Sequence, residues 1–187
     1  KEGLLVSFEE DVPKYAQPAQ VPSIQFLIRN APLFAGQRIK YTRFGNSDYR
    51  SREMKRAFEL LEQAIIIQRI FPTVQSTPPM QPHLRASPKL LYLDSGLITH
   101  CLNLQPADIR FEQLNDLFRG TLAEQIVGQE LMAQDSYQRR GLGFWFRQAP
   151  GSTAEIDYCF TLRGRVIPVE VKSGKSGRLR SLLQFME

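Results

Sequence analysis

The chain has 187 residues, 42% hydrophobic and 23% charged, with twelve phenylalanines; it can bury a core in one or two domains and is too apolar for wholesale disorder. A formal net charge of +5 suits a polyanionic partner and equally suits solubility alone. Two distant cysteines and two histidines exclude a disulfide framework and a zinc site, and read as reduced thiols in a cytoplasmic protein. No apolar run reaches membrane-spanning length and no signal peptide is visible, so no membrane partner is expected. The chain does not start with Met, which points to a piece of something longer.

Residues 1–36 mix short apolar pieces with turn signals. LLVSFEEDVPKYA ends at a Pro and a Lys-Tyr pair, a polar AQPAQ linker follows, and PSIQFLIRNAPLF reads as a short helix entered at Pro22-Ser23. From Ser51 a helix carries Met54, Ala57, Phe58, Leu61, Ala64 and Ile65 at three-to-four spacing, an apolar stripe. Its other face offers Arg50, Arg52, Lys55 and Arg56. Ile65–Phe71 is β-branched enough for a strand, the Pro-rich PTVQSTPPMQPH is a long loop, and KLLYLD (Lys89–Asp94) is a returning strand. Helix, strand, loop and strand together spell a winged helix, with the basic helix entering a groove of DNA and the loop as its wing. The competing reading is a small helical domain with a solvated basic face.

Asp94-Ser95-Gly96 starts a short helix through Leu102, and Gln105–Asp108 is a loop. Residues 119–137 form a helix with Ala123, Ile126, Val127 and Leu131 on one face, Glu130 near its centre and Glu124 at its margin. A carboxylate there must be paired, protonated or metal-bound. Three strand-like runs follow, GFWFRQ, AEIDYCFTL and RVIPVEVKS, the last two joined by a tight hairpin at Arg163-Gly164. Pro168 calls for a bulge or kink. RLRSLLQFME then begins a helix. SGKSG lacks the first glycine of a phosphate-binding loop, where Val169 stands, so ATP binding is excluded at this site.

Strand side chains repeat every two residues, so Glu170 and Lys172 share a face, and pairing with the preceding strand sets Asp157 beside Glu170. Two carboxylates on neighbouring strands suit Mg²⁺ or Mn²⁺, with a lysine to hold a water or neutralise a phosphorane, and Glu124, or as the second choice Glu130, as a third carboxylate. Arg163, Arg165, Lys172, Lys175, Arg178 and Arg180, against Glu170 alone, suit a phosphate backbone. The plain alternative is a surface ion-pair ladder.

GTLAEQIVGQEL, FWFRQ, AEIDYCF and VIPVEVKSGKSGRLRSLLQFM resemble the PD-(D/E)XK, restriction-endonuclease-like superfamily. More closely, they resemble the C-terminal domain of unknown function attached to prokaryotic AAA-type ATPases. FEEDVPKYA resembles the end of the ATPase part, and LLEQAIII…SPKLLYLDSGL that family's winged-helix segment. The resemblance implies catalytic residues Glu124, Asp157, Glu170 and Lys172, with Asp157 and Glu170 as ligands of Mg²⁺ or Mn²⁺. The basic helix and the basic glycine loop give Arg50, Arg52, Lys55, Arg56, Lys175 and Arg178 as the expected DNA contacts. Ile156 stands where the motif name has Pro, and the chain ends before the superfamily's last core strand.

The expected fold is therefore α/β (α+β), a winged-helix segment followed by a mixed nuclease-like sheet with flanking helices, truncated at its C-terminus. Residues 1–36 are expected to be the tail of a preceding ATPase part, 37–95 the winged helix and 96–187 an incomplete nuclease-like domain. ATP is not expected to bind this fragment; DNA and the N-terminal ATPase domain of the same bacterial chain are the expected partners, with oligomerisation left open. The expected function is Mg²⁺-dependent DNA phosphodiester cleavage; the alternative is a non-catalytic DNA- or protein-binding module that regulates the ATPase.

Overall fold

A computed structural model describes residues 2–104, 116–134, 141–148, 154–172 and 180–186. It is an α+β protein, with six α-helices and two sheets among these residues. The chain forms two compact units, one of residues 1–69 and 90–114, the other of 70–89 and 115–187.

In the first unit, α1 (Glu2–Tyr15) runs through Pro13 and ends at the Lys14-Tyr15 pair. Proline so near a helix end removes one backbone bond and leaves the preceding turns intact. Glu9 joins α1 to α2 (Val21–Asn30), accepting from Arg29 at 2.7 and 2.9 Å. The basic helix is α3 (Ser51–Gln63), with Met54, Ala57, Phe58 and Leu61 buried as their spacing predicts. Phe58 is the hub of this core, edge-on to Phe44 at 5.0 Å and to Tyr41 at 5.5 Å.

The helix stops two residues before the expected Ile65. Ile65 takes φ 58° and lies exposed, while its N–H donates to Glu62 O and that of Ile66 to Leu61 O. That paired closure is a Schellman cap, which normally uses glycine because a side chain resists the left-handed conformation. The strand accordingly starts late, as β1 (Ile67–Ile70). Beside it, Arg69 is buried and its guanidinium donates to Glu62 Oε2 at 2.6 and 3.0 Å and to Tyr41 Oη at 2.9 Å.

After β1 the chain leaves this unit and returns through β3 (Lys89–Tyr92), which pairs with β1 in a two-stranded sheet. The intervening segment, expected as a wing, contributes β2 (Pro72–Thr73) to the second unit's sheet. Asp94 caps α4 (Ser95–Cys101) as expected, its Oδ1 accepting from Gly96 N at 2.6 Å.

The second unit holds a mixed sheet in the order β2-β4-β5-β6, with β4 at Gly143–Phe146, β5 at Glu155–Leu162 and β6 at Arg165–Val169. Only β2 and β4 run parallel. Arg163 and Gly164, both at positive φ (49° and 74°), make the tight hairpin that pairs β5 with β6. No bulge forms at Pro168, which sits opposite Cys159 in unbroken register. Among the described strands β6 is outermost, so a missing N–H can face away from the ladder. The irregularity falls instead between Gly143 and Trp145. A Cβ at Gly143 would lie 3.2 Å from the Phe71 carbonyl oxygen, so glycine suits this close approach.

The helix expected over 119–137 is described as α5 (Asp116–Gln134). Among the residues whose burial is described, Leu122, Gln125 and Gly128 are buried, not the face centred on Glu130. Glu130 is exposed, as is Ile126. An amide and a glycine fill the buried arc, and apolar counting is blind to both. Trp145, Ile156, Cys159 and Val166 build a core with Phe185 of α6 (Arg180–Met186), whose ring meets Trp145 edge-on at 5.3 Å.

Candidate active site

Helix α5 and strand β5 bring Glu124, Glu155 and Asp157 around one ammonium. Lys89, only 2% exposed, places Nζ 2.7 Å from Glu124 Oε2, 3.7 Å from Asp157 Oδ1 and 3.8 Å from Glu155 Oε1. It also donates to the Asp157 backbone carbonyl at 3.2 Å and lies over the rings of Tyr158 and Phe144, at 5.0 and 5.5 Å from their centroids. Tyr158 donates its hydroxyl to the Glu124 carbonyl oxygen at 2.8 Å, tying helix to strand at the same place. Burial pushes the Tyr158 phenol well up, which keeps it a donor.

The other half of the site follows the end of β6. Register places Tyr158 opposite Val169, so the chain beyond Val169 runs past Asp157. The Val171 N–H donates to Asp157 Oδ2 at 2.8 Å, orienting that carboxylate. Glu170 is mostly buried; its Oε1 takes the Lys172 ammonium, and its Oε2 is buried without a hydrogen-bond partner. Lys172 remains 42% exposed. Its ammonium is held above its ordinary range, first by the bond to Glu170 and also by the charges of Glu170, Asp157 and Glu124.

Glu124 titrates above the usual carboxylate range because burial outweighs the pull of Lys89, and Asp157 and Glu155 raise it further. A raised carboxyl favours the folded state most when protonated, below the ordinary value near 4.5, and that share of stability is lost as pH rises through the folded value. Urea unfolding of wild type and Glu124→Gln across acid to neutral pH checks this. The wild type is expected to lose stability relative to the variant as pH rises, and parallel curves would contradict it.

The structure thus brings Glu124 and Asp157 together on Lys89, sets the Val171 amide on Asp157, and pairs Glu170 with Lys172. Arg50, Arg52, Lys55 and Arg56 lie exposed at and along the start of α3, in the other unit. Lys175 and Arg178 fall outside the described residues. Sequence reading gave no role to Lys89 or Glu155. The signal for Lys89 was a cation heading an apolar strand, every residue of which is buried; for Glu155, it was the period of two to Asp157.

Among the described residues no three His, Cys, Asp or Glu side chains stand together as a ready metal shell. The donors nonetheless suit Mg²⁺ or Mn²⁺, being carboxylate oxygens throughout, with one buried Glu170 oxygen lacking a partner. No helix among the described residues is long and apolar enough to cross a membrane.

Fold and site together define an α+β protein with a carboxylate–lysine centre built from helix α5, strand β5, Lys89 of β3 and the chain that follows β6. The chain belongs to the DUF8612 family, a domain of unknown function whose model matches residues 3–108. Residues 119–187 match DUF4143, a second domain of unknown function, found in the C-terminal region of AAA-ATPase-associated proteins. No curated protein and no solved structure matches the chain.

Proposed function

We propose that this chain is the C-terminal part of a cytoplasmic bacterial AAA-type ATPase, and that its PD-(D/E)XK-like unit cleaves DNA phosphodiesters with Mg²⁺ or Mn²⁺. The observation that carries the reading is the gathering of Glu124 and Asp157 on one side and the Glu170–Lys172 pair on the other, linked through the Val171 amide. Asp157 and Glu170 would hold the metal, with Glu124 as a further carboxylate. When bound, the metal supplies Lewis acidity toward the phosphoryl oxygen and lowers the pKa of its water. Lys172 keeps its proton because its pKa is raised, so its part is to hold the phosphoryl charge as a cation. Its exposure lets a phosphodiester reach it. The test is plasmid nicking with either metal: Lys172→Ala should slow it by roughly a hundredfold, the scale of losing one charge-stabilising donor. Equal background nicking in wild type and variant would end the reading.

A second reading, a non-catalytic DNA-binding module, draws on the exposed cations at the start of α3 and on its winged-helix-like sequence. It expects duplex affinity that falls with salt, and a log–log salt slope reduced by about 2 in Lys55→Ala/Arg56→Ala, at about 0.9 per phosphate contact. Filter binding across a salt series measures this, and no affinity at low salt would remove the reading.

A further inference from the structure

Lys89 is the one buried cation of the second unit that the proposed chemistry leaves unused among the described residues. Its ammonium has taken the place between Asp157, one of the two acids assigned to the metal, and Glu124, the further carboxylate. Stability alone is a poor reason to bury it, since an apolar side chain of similar volume usually packs as well as a buried ion pair. A third carboxylate, Glu155, stands within 3.8 Å of the same nitrogen, and the Tyr158 and Phe144 rings offer it a cation-binding face. The ammonium therefore has a second place to go without leaving its pocket.

We propose that Lys89 is the resident cation of the carboxylate site and competes with the divalent metal for Glu124 and Asp157, with Glu155 receiving the ammonium when the metal enters. This rests on the metal-dependent reading above and adds to it the residue that sets the metal threshold. Glu155 already stands 3.8 Å from the ammonium, so the lysine can stay inside the site alongside a metal ion by moving onto it. Lys89 acts here as a positioning and affinity-setting residue and touches no substrate.

Removing the lysine and removing its alternative seat give opposite signs, which a merely structural role would not produce. Mn²⁺ binding to the whole chain is measured at one fixed pH by calorimetry and by the spin-resonance signal of the free ion. Lys89→Met, which keeps an unbranched side chain one atom shorter and removes the charge, should bind Mn²⁺ at least about tenfold tighter than wild type, since a competing charge at contact distance is gone. Glu155→Gln keeps the lysine but removes its alternative seat, and should bind severalfold more weakly. Asp157→Asn should lose the site in either background.

Wild type that binds Mn²⁺ while folded Lys89→Met binds with equal or lower affinity would overturn the competition and leave the metal-dependent reading standing. Binding that appears only in Lys89→Met, and is lost on adding Asp157→Asn, would support the competition and overturn the metal-dependent reading for the native chain. No binding in wild type or in Lys89→Met would overturn both. If Lys89→Met fails to fold, Glu155→Gln decides: unchanged Mn²⁺ affinity there overturns the proposal.

Discussion

Asp157→Asn is expected to bring metal-dependent plasmid nicking down by at least about a hundredfold, to the level of the metal-free control, while leaving the fold in place. The reasoning separates the two oxygens of that side chain. Oδ2 accepts the Val171 N–H at 2.8 Å, a bond an asparagine oxygen can still accept. Oδ1 faces Lys89 at 3.7 Å, and there the substitution replaces a carboxylate with an amide that carries no charge. What disappears is the anionic ligand; what stays is the link between β5 and the chain after β6. A gel assay of supercoiled plasmid with Mn²⁺, with circular dichroism on the same samples, measures both. Full activity in a folded Asp157→Asn protein would remove Asp157 from the chemistry, and with it the proposed cleavage site.

Phe58→Ala is the second large effect, and it acts on stability. Phe58 is fully buried and meets two other rings edge-on, Phe44 at 87° and Tyr41 at 64° between planes. Removing a buried phenylalanine ring costs about 3–5 kcal/mol, combining lost burial with an unfilled cavity. Against the 5–15 kcal/mol that holds a typical domain together, such a loss takes a large share. Tyr41 also receives the hydrogen bond of the buried Arg69, so the damage reaches a charged group whose partners must stay in place. A urea titration followed by far-ultraviolet circular dichroism should show the midpoint drop sharply. A shift no larger than that of an exposed substitution such as Leu33→Ala would contradict the packing described.

Much of the fold was legible because its signals are local. The period of the α3 stripe, the alternation along β5, the Arg163-Gly164 turn and the Asp94 cap are each written within a few neighbouring residues. The misplaced features depend on partners that no local window contains. Lys89 meets Glu124 across 35 positions and the Asp157 carbonyl across 68, so its burial cannot be read from KLLY alone. The turned face of α5 depends on Gln125 and Gly128, which hydrophobicity does not mark as interior. Strand β2 is two residues long and exists only because β4 lies beside it. Ile65 takes a conformation that its residue type disfavours, so propensity pointed the wrong way. Of the site, strand pairing was expected to set Asp157 beside Glu170, whereas β6 ends at Val169 and the hydrogen bond Asp157 accepts there comes from the Val171 N–H; the ammonium among the acids was missing because a lysine in an apolar strand reads as an end, not a centre.

The detour of the chain between β1 and β3 bears on how this protein can be divided. Cutting at the start of the 119–187 match would separate that segment from Pro72–Thr73 and from Lys89. Strand β4 would then expose an unpaired edge open to self-association, and Glu124 would keep its burial but lose its counter-ion. A sequence-family boundary is therefore the wrong place to cut, because the excised segment would carry the acids without the cation that allows them to sit together.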